Sequence, residues 1–169
     1  MRRLFLVTLL ASLLTACTVT FVPGDVTVRG RVRFGIELNE VIRVFEPTRG
    51  SGAIYGLNEN IAFRVVSNQT GYVTLTAIDP GGSVYPIIRN VYVRAGESRI
   101  IPNSGDRVTF SLQPPRGLHR VRASFTPSAT SGRVVYRGVV TEDRWTQSIV
   151  TEVQPYQVRD IVETRFFLE

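Results

Sequence analysis

The chain has 169 residues, 43% of them hydrophobic and 20% charged, which excludes a fibrous or wholly disordered protein and leaves enough apolar material for one core. All 20 basic side chains are arginine and the formal net charge is +6; the arginines are scattered, and no nucleic-acid partner is expected. One Cys and one His exclude a disulfide framework, a Cys/His zinc site and a Cys–His catalytic pair, so no metal, no cofactor and no enzyme activity are expected.

In chain order, the first element is a leader. Met1-Arg2-Arg3 is a basic start and Leu4–Leu14 an apolar run, well short of the roughly 20 residues that span a bilayer. Leu14-Thr15-Ala16-Cys17 closes it and resembles a bacterial lipobox. That resemblance implies a signal peptide over residues 1–16 and acylation of Cys17, hence a partner in membrane lipid through that residue. Several acyl chains make such anchoring stable, since each buried CH₂ contributes about 0.8 kcal/mol. The alternative is an ordinary secretory leader in which the single cysteine stands at this position by chance. Thr18 follows Cys17 where an Asp would resemble an inner-membrane retention signal, which favours an outer membrane or outer surface.

Residues 17–26 read as the acylated Cys and a short tether, with a turn at Pro23-Gly24. Residues 27–169 read as a single all-β domain, an antiparallel β-sandwich. Val28, Gly30, Val32 and Phe34 alternate with Arg29, Arg31 and Arg33, the period of a half-buried strand. On such a strand the three guanidinium groups share one face at intervals of about 6.6–7 Å. They form a candidate stripe for acidic lipid or polysaccharide, because a guanidinium grips phosphate or carboxylate bidentately. The alternative is a solvated face paired across strands with Glu37, Glu40 or other acids.

Further strands are predicted at Val41–Phe45, Ile61–Ser67, Tyr72–Ile78, Val91–Arg94, Arg99–Ile101, Arg107–Leu112, His119–Phe125, Val134–Val140, Ser148–Val153 and Asp160–Leu168. Turn signals such as Asp79-Pro80-Gly81-Gly82 and Asn103-Ser104-Gly105-Asp106 separate them. Val73, Leu75 and Ala77 are expected in the core with Ile61, Phe63, Val65, Phe110, Leu112, Val121, Ala123 and Phe125, each set spaced by two. One helical turn is expected near Thr141–Trp145, with Thr141 as cap, but the β-branched Ile149-Val150-Thr151 disfavours continuing it.

Residues 46–125 resemble the bacterial domain of unknown function 4384. The resemblance runs from Glu46-Pro47-Thr48-Arg49-Gly50 through Gly71-Tyr72-Val73-Thr74-Leu75-Thr76-Ala77-Ile78-Asp79-Pro80-Gly81-Gly82 to Pro114-Pro115-Arg116-Gly117 and Val121-Arg122-Ala123. It implies an immunoglobulin-like β-sandwich of a kind that occurs in lipoproteins and beside catalytic domains, and it brings no catalytic residues. This chain departs from the family by a further strand-rich stretch over residues 132–169.

Other chemistry-bearing residues have plain structural readings. His119 lacks a second His or Cys beside it and reads as structural or solvent-facing. Asp79 and Asp106 sit in Gly-containing turns without the clustered acids of a calcium site, so turn chemistry accounts for them. Glu142-Asp143 is the one adjacent acidic pair, and neighbours on a strand diverge. The expected function is a membrane-anchored envelope lipoprotein with a binding or structural role. The alternative is an accessory subunit of a larger envelope assembly, held by strand edges and loops to envelope protein partners.

Overall fold

The computed structural model describes residues 34–169. Cys17, Arg29, Arg31 and Arg33 lie outside the described residues, as do the leader, the tether and the strand expected at Val28–Phe34 except for Phe34 itself. Eleven strands and one helix are described: β1 Ile42–Pro47, β2 Ile54–Tyr55, β3 Asn60–Ile61, β4 Phe63–Ser67, β5 Gly71–Ile78, β6 Ser83–Val93, β7 Ser98–Ile101, β8 Phe110–Ser111, β9 Gly117–Thr126, β10 Gly138–Val139, α1 Glu142–Val153 and β11 Asp160–Leu168.

They form an all-β sandwich with one added helix. A six-stranded sheet runs β10-β6-β5-β9-β11-β2, a three-stranded sheet runs β1-β4-β7, and β3 and β8 make a short ribbon. All pairings are antiparallel except β2 on β11, which is parallel. The β5–β9 register sets Val73, Leu75 and Ala77 opposite Phe125, Ala123 and Val121. Successive side chains alternate across a sheet, so these six share one face, and all are buried against Phe45, Phe63, Val65 and Ile101 of the smaller sheet. The β5–β9 contact is tight at Gly71, where any Cβ would sit 2.5 Å from the Phe125 ring. Only glycine fits there.

The helix corrects the sequence reading. No strand forms over 148–153, and of the strand expected at Val134–Val140 only Gly138–Val139 pairs, along the start of β6. Instead Thr141 caps a helix that runs to Val153, its side chain accepting from the Arg144 amide, with Glu142 and Asp143 in the first turn against the positive end of the dipole. Trp145, Ile149, Val150 and Val153 recur at i, i+4, i+5 and i+8, which is helical spacing, and all four are buried with Ile78, Val84 and Ile161 of the sheet. Burial of that stripe outweighs the β preference of Ile149-Val150-Thr151, whose local cost in a helix is at most about 0.7 kcal/mol per residue.

The helix covers the second face of the six-stranded sheet, where polar side chains stand beside Ile78, Val84 and Ile161. Arg122 is fully buried; its Nε donates to Glu163 at 2.7 Å, its Nη2 to Glu142 at 2.9 Å and its Nη1 to Thr146 at 2.7 Å. Its guanidinium lies 3.9 Å from the centroid of the Trp145 ring, whose Nε1 donates to Thr76 Oγ1 at 3.0 Å. At the other end of the helix Glu152 accepts from Arg89, from Thr130 and, at 2.6 Å, from the Tyr136 hydroxyl. A buried charge is tolerated only when its hydrogen bonds are met, and these clusters meet them.

Candidate functional site

The two sheets part at the β5–β6 end of the sandwich. A cleft of about 470 Å³ opens there, with Ile61 and Phe110 of the β3–β8 ribbon, Leu112, Phe63 of β4 and Phe166 of β11 among its apolar walls. Asp79, Tyr85, Gln113 and His119 supply polar atoms along the same cleft. Among the described residues, no arginine lines it.

His119 sits here because β9 alternates. It shares the parity of Val121, Ala123 and Phe125 and so points inward, and it lies opposite Phe166 in the β9–β11 register. The imidazole stacks on that ring, centroids 5.0 Å apart and planes 11° apart, and is 2% exposed. Its Nε2 lies 2.8 Å from the Pro115 carbonyl oxygen. A carbonyl only accepts, so Nε2 carries the proton and donates. In the neutral ring Nδ1 is then a lone-pair acceptor, and it is buried without a partner. An unmet buried acceptor costs about 1–3 kcal/mol.

Asp79 is placed by the β5–β6 turn. Its amide donates to the Ser83 carbonyl, its Oδ1 accepts from the Ser83 amide at 2.9 Å, and Gly82 completes the turn at φ +81°. The β5–β9 register ends with Ile78 opposite Arg120, and Asp79, the next residue, lines the same cleft as His119. No hydrogen bond joins the two. Tyr85, across from Ala77 on β6, has its hydroxyl pushed above the ordinary tyrosine range, first by burial and then by the charge of Asp79.

The remaining sequence candidates have structural partners. Asp106 accepts from the Asn103 amide and pairs with Arg99 at 2.9 Å. The Asn103 bond first, and Arg99 after it, hold its carboxyl below the usual range. Glu142 is bound by Arg120 at 2.8 Å and Arg122 at 2.9 Å, while Asp143 stands exposed in the first helical turn. Sequence reasoning placed Asp79 in a turn and left His119 structural; it did not bring them together. The available signal was their mirrored position about the β5–β9 pairing, which is readable only once the register is known.

The segment that builds most of this cleft matches a family model. Residues 54–129 match the Domain of unknown function (DUF4384). The DUF4384 segment runs from β2 to just beyond β9 and carries Asp79, Tyr85, His119 and the ribbon wall. Phe166, on which His119 stacks, comes from β11 outside it, as do β1 and α1. No curated protein and no solved structure matches the chain.

Proposed function

We propose that this chain is a non-catalytic lipoprotein of the cell envelope, anchored by acyl chains on Cys17, whose sandwich is of the immunoglobulin-like kind and binds a ligand between its sheets. The observation that carries the binding role is the cleft. It combines apolar walls with a few convergent polar groups, the usual make-up of a small-molecule site. The Leu14-Thr15-Ala16-Cys17 motif supports the anchor and an outer-membrane or outer-surface location. Among the described residues, two buried acids, Glu152 of the helix and Glu163 of the sheet it covers, are bound by arginine, which supports a structural role for them.

Metabolic labelling with a radioactive fatty acid tests the anchor. Wild-type chain should incorporate label and Cys17→Ser should not; equal labelling of both would overturn the lipoprotein reading. In the same reading Arg29, Arg31 and Arg33 contact acidic lipid or polysaccharide.

A second reading, an accessory subunit of an envelope assembly, is favoured by the edge at β10. Val135 and Val139 are 73% and 75% exposed beside the terminal strand of the six-stranded sheet, where another chain can add. Cross-linking in native membranes should then trap one partner at Val139→Cys, in a Cys17-independent way. A monomer in every fraction would overturn it.

A further inference from the structure

The cleft runs along the edges of two strands. A strand face contributes every second residue to a surface, but Thr109 through Pro114 line this cleft without a gap, and so do Tyr85, Pro86 and Ile87. β6 gives its other edge to β5, and β8 gives its other edge to β3. On β6 the run holds Pro86, which has no N–H and guards that edge against pairing. The β8 edge has no such guard.

In the β3–β8 pairing the Leu112 amide donates to the Glu59 carbonyl at 2.9 Å, and Phe110 stands opposite Ile61 in the same register, so the main-chain groups of Phe110 and Leu112 turn to β3. Those of Thr109, Ser111 and Gln113 turn the opposite way. None of the three makes a main-chain hydrogen bond among the described residues, and all three are exposed. The Ser111 hydroxyl and the Gln113 carboxamide turn back to Asn58, at 3.4 and 3.0 Å, and what these residues leave to the cleft is their main chain. From Thr109 to Gln113 about 13 Å of strand edge therefore offers N–H and C=O groups in turn.

A second main chain repeats donors and acceptors at the same spacing, and its side chains of one parity would enter the apolar floor of Ile61, Phe63, Leu112 and Phe166. The lining holds one carboxylate, Asp79, and no arginine among the described residues, which suits a basic residue and opposes an acidic one. The run of Tyr85, Pro86 and Ile87 closes the far side, so the cleft admits a single extended segment and not a second folded sandwich. Resting on the reading of the cleft as a binding site, we propose that its guest is an extended polypeptide segment of another protein, apolar at alternate positions and basic rather than acidic, which adds to β8 as a strand. Main-chain bonds to Thr109, Ser111 and Gln113 supply affinity, and the floor and Asp79 supply selectivity.

The probe is acetyl-Lys-Val-Thr-Val-Thr-Val-amide, titrated into the full chain and followed by NMR, with octanol as a small apolar control. The peptide should slow exchange of the Ser111 amide at least tenfold, and replacing its Lys by Glu should weaken it. Two further peptides, N-methylated on the valines or on the threonines, block opposite edges of the guest. One should bind at least tenfold more weakly than the other, since each lost main-chain bond costs about twofold to tenfold. Ser111→Pro removes an N–H that β3 does not use; it should weaken the peptide tenfold while octanol still shifts Phe63 and Phe110, which reports that the variant is folded. Equal binding of the two N-methylated peptides, or protection at β10 instead of Ser111, would overturn strand addition and leave the cleft a binding site. A Ser111 amide already slow in the free chain would overturn the foreign guest, in favour of the residues before Phe34 if the slowing is independent of concentration and of a second copy if it is not. Binding of octanol alone would make the guest a small molecule, and binding of neither probe would overturn the cleft reading itself.

Discussion

The two faces of the six-stranded sheet are both buried, but by opposite means. The inner face presents Val73, Leu75, Ala77, Val121, Ala123 and Phe125 to another sheet, and its cohesion is roughly proportional to the apolar area removed from water. The outer face meets a helix and adds to the apolar Ile78 and Ile161 the buried polar residues Thr74, Thr76, Arg122, Ser124 and Glu163. At those polar positions, cohesion depends on each donor finding its acceptor. An apolar layer weakens gradually as groups are trimmed, whereas a buried polar layer fails when one member is removed, because the others remain desolvated.

The sharpest way to break that contrast is Arg122→Ala. It withdraws the guanidinium from Glu163 and Glu142 at once and should lower stability by about 3–5 kcal/mol in chemical denaturation. If burial area alone governed the outer face, Arg122→Met would be much less harmful than Arg122→Ala; because Glu163 would stay buried without its donor, Met should instead be nearly as harmful, and a paired Arg122→Met, Glu163→Leu variant should recover stability by removing both members of the pair. On the inner face Leu75→Ala should cost about 2–5 kcal/mol, with the exact loss set by how far Phe45 and Phe63 close the void.

A pH titration sharpens the same comparison. The Tyr136 phenol is pushed far above the ordinary tyrosine range by burial first, and then by its hydrogen bond to Glu152 and that group's charge. Its raised folded value means that the neutral phenol's contribution is complete below about pH 10, the unfolded value, and is lost as pH rises beyond it. Tyr55 and Tyr85 add slopes of the same sign. The melting temperature should therefore fall above pH 10, and less steeply in Tyr136→Phe, which at neutral pH is about 1–3 kcal/mol less stable through the acceptor it leaves at Glu152. The smallest effect is expected at the helix start. Thr141→Ala removes the cap on the Arg144 amide and should cost about 0.5–2 kcal/mol, read as a small drop in melting temperature with the β signal intact.

Most strands were readable because period-two alternation and turn chemistry are local. Gly71–Ile78, Gly117–Thr126 and Asp160–Leu168 lie within a residue or two of their expected bounds, and every residue expected in the core from β5 and β9 is there. The helix was misread for the same reason, since Ile149-Val150-Thr151 is locally β-prone while the stripe from Trp145 to Val153 has value only against a sheet. Alternation also implied one wet face for β5 and β9. Thr74, Thr76 and Arg122 look solvent-facing in any window of sequence; their burial depends on α1, which lies outside the DUF4384 segment.

From sequence alone came the β class, the sandwich, the turns at Asp79 and Asp106 and the motif at Cys17, all of which are encoded in residues a few positions apart. The tertiary structure decided what no local pattern holds. It brought Asp79 and His119, distant in the chain, to one cleft, put Phe166 beneath the imidazole, and assembled Arg122, Glu142 and Glu163 into one cluster. These contacts depend on register and on which strand neighbours which, and those are set by closing the whole core at once rather than by any segment's own preference.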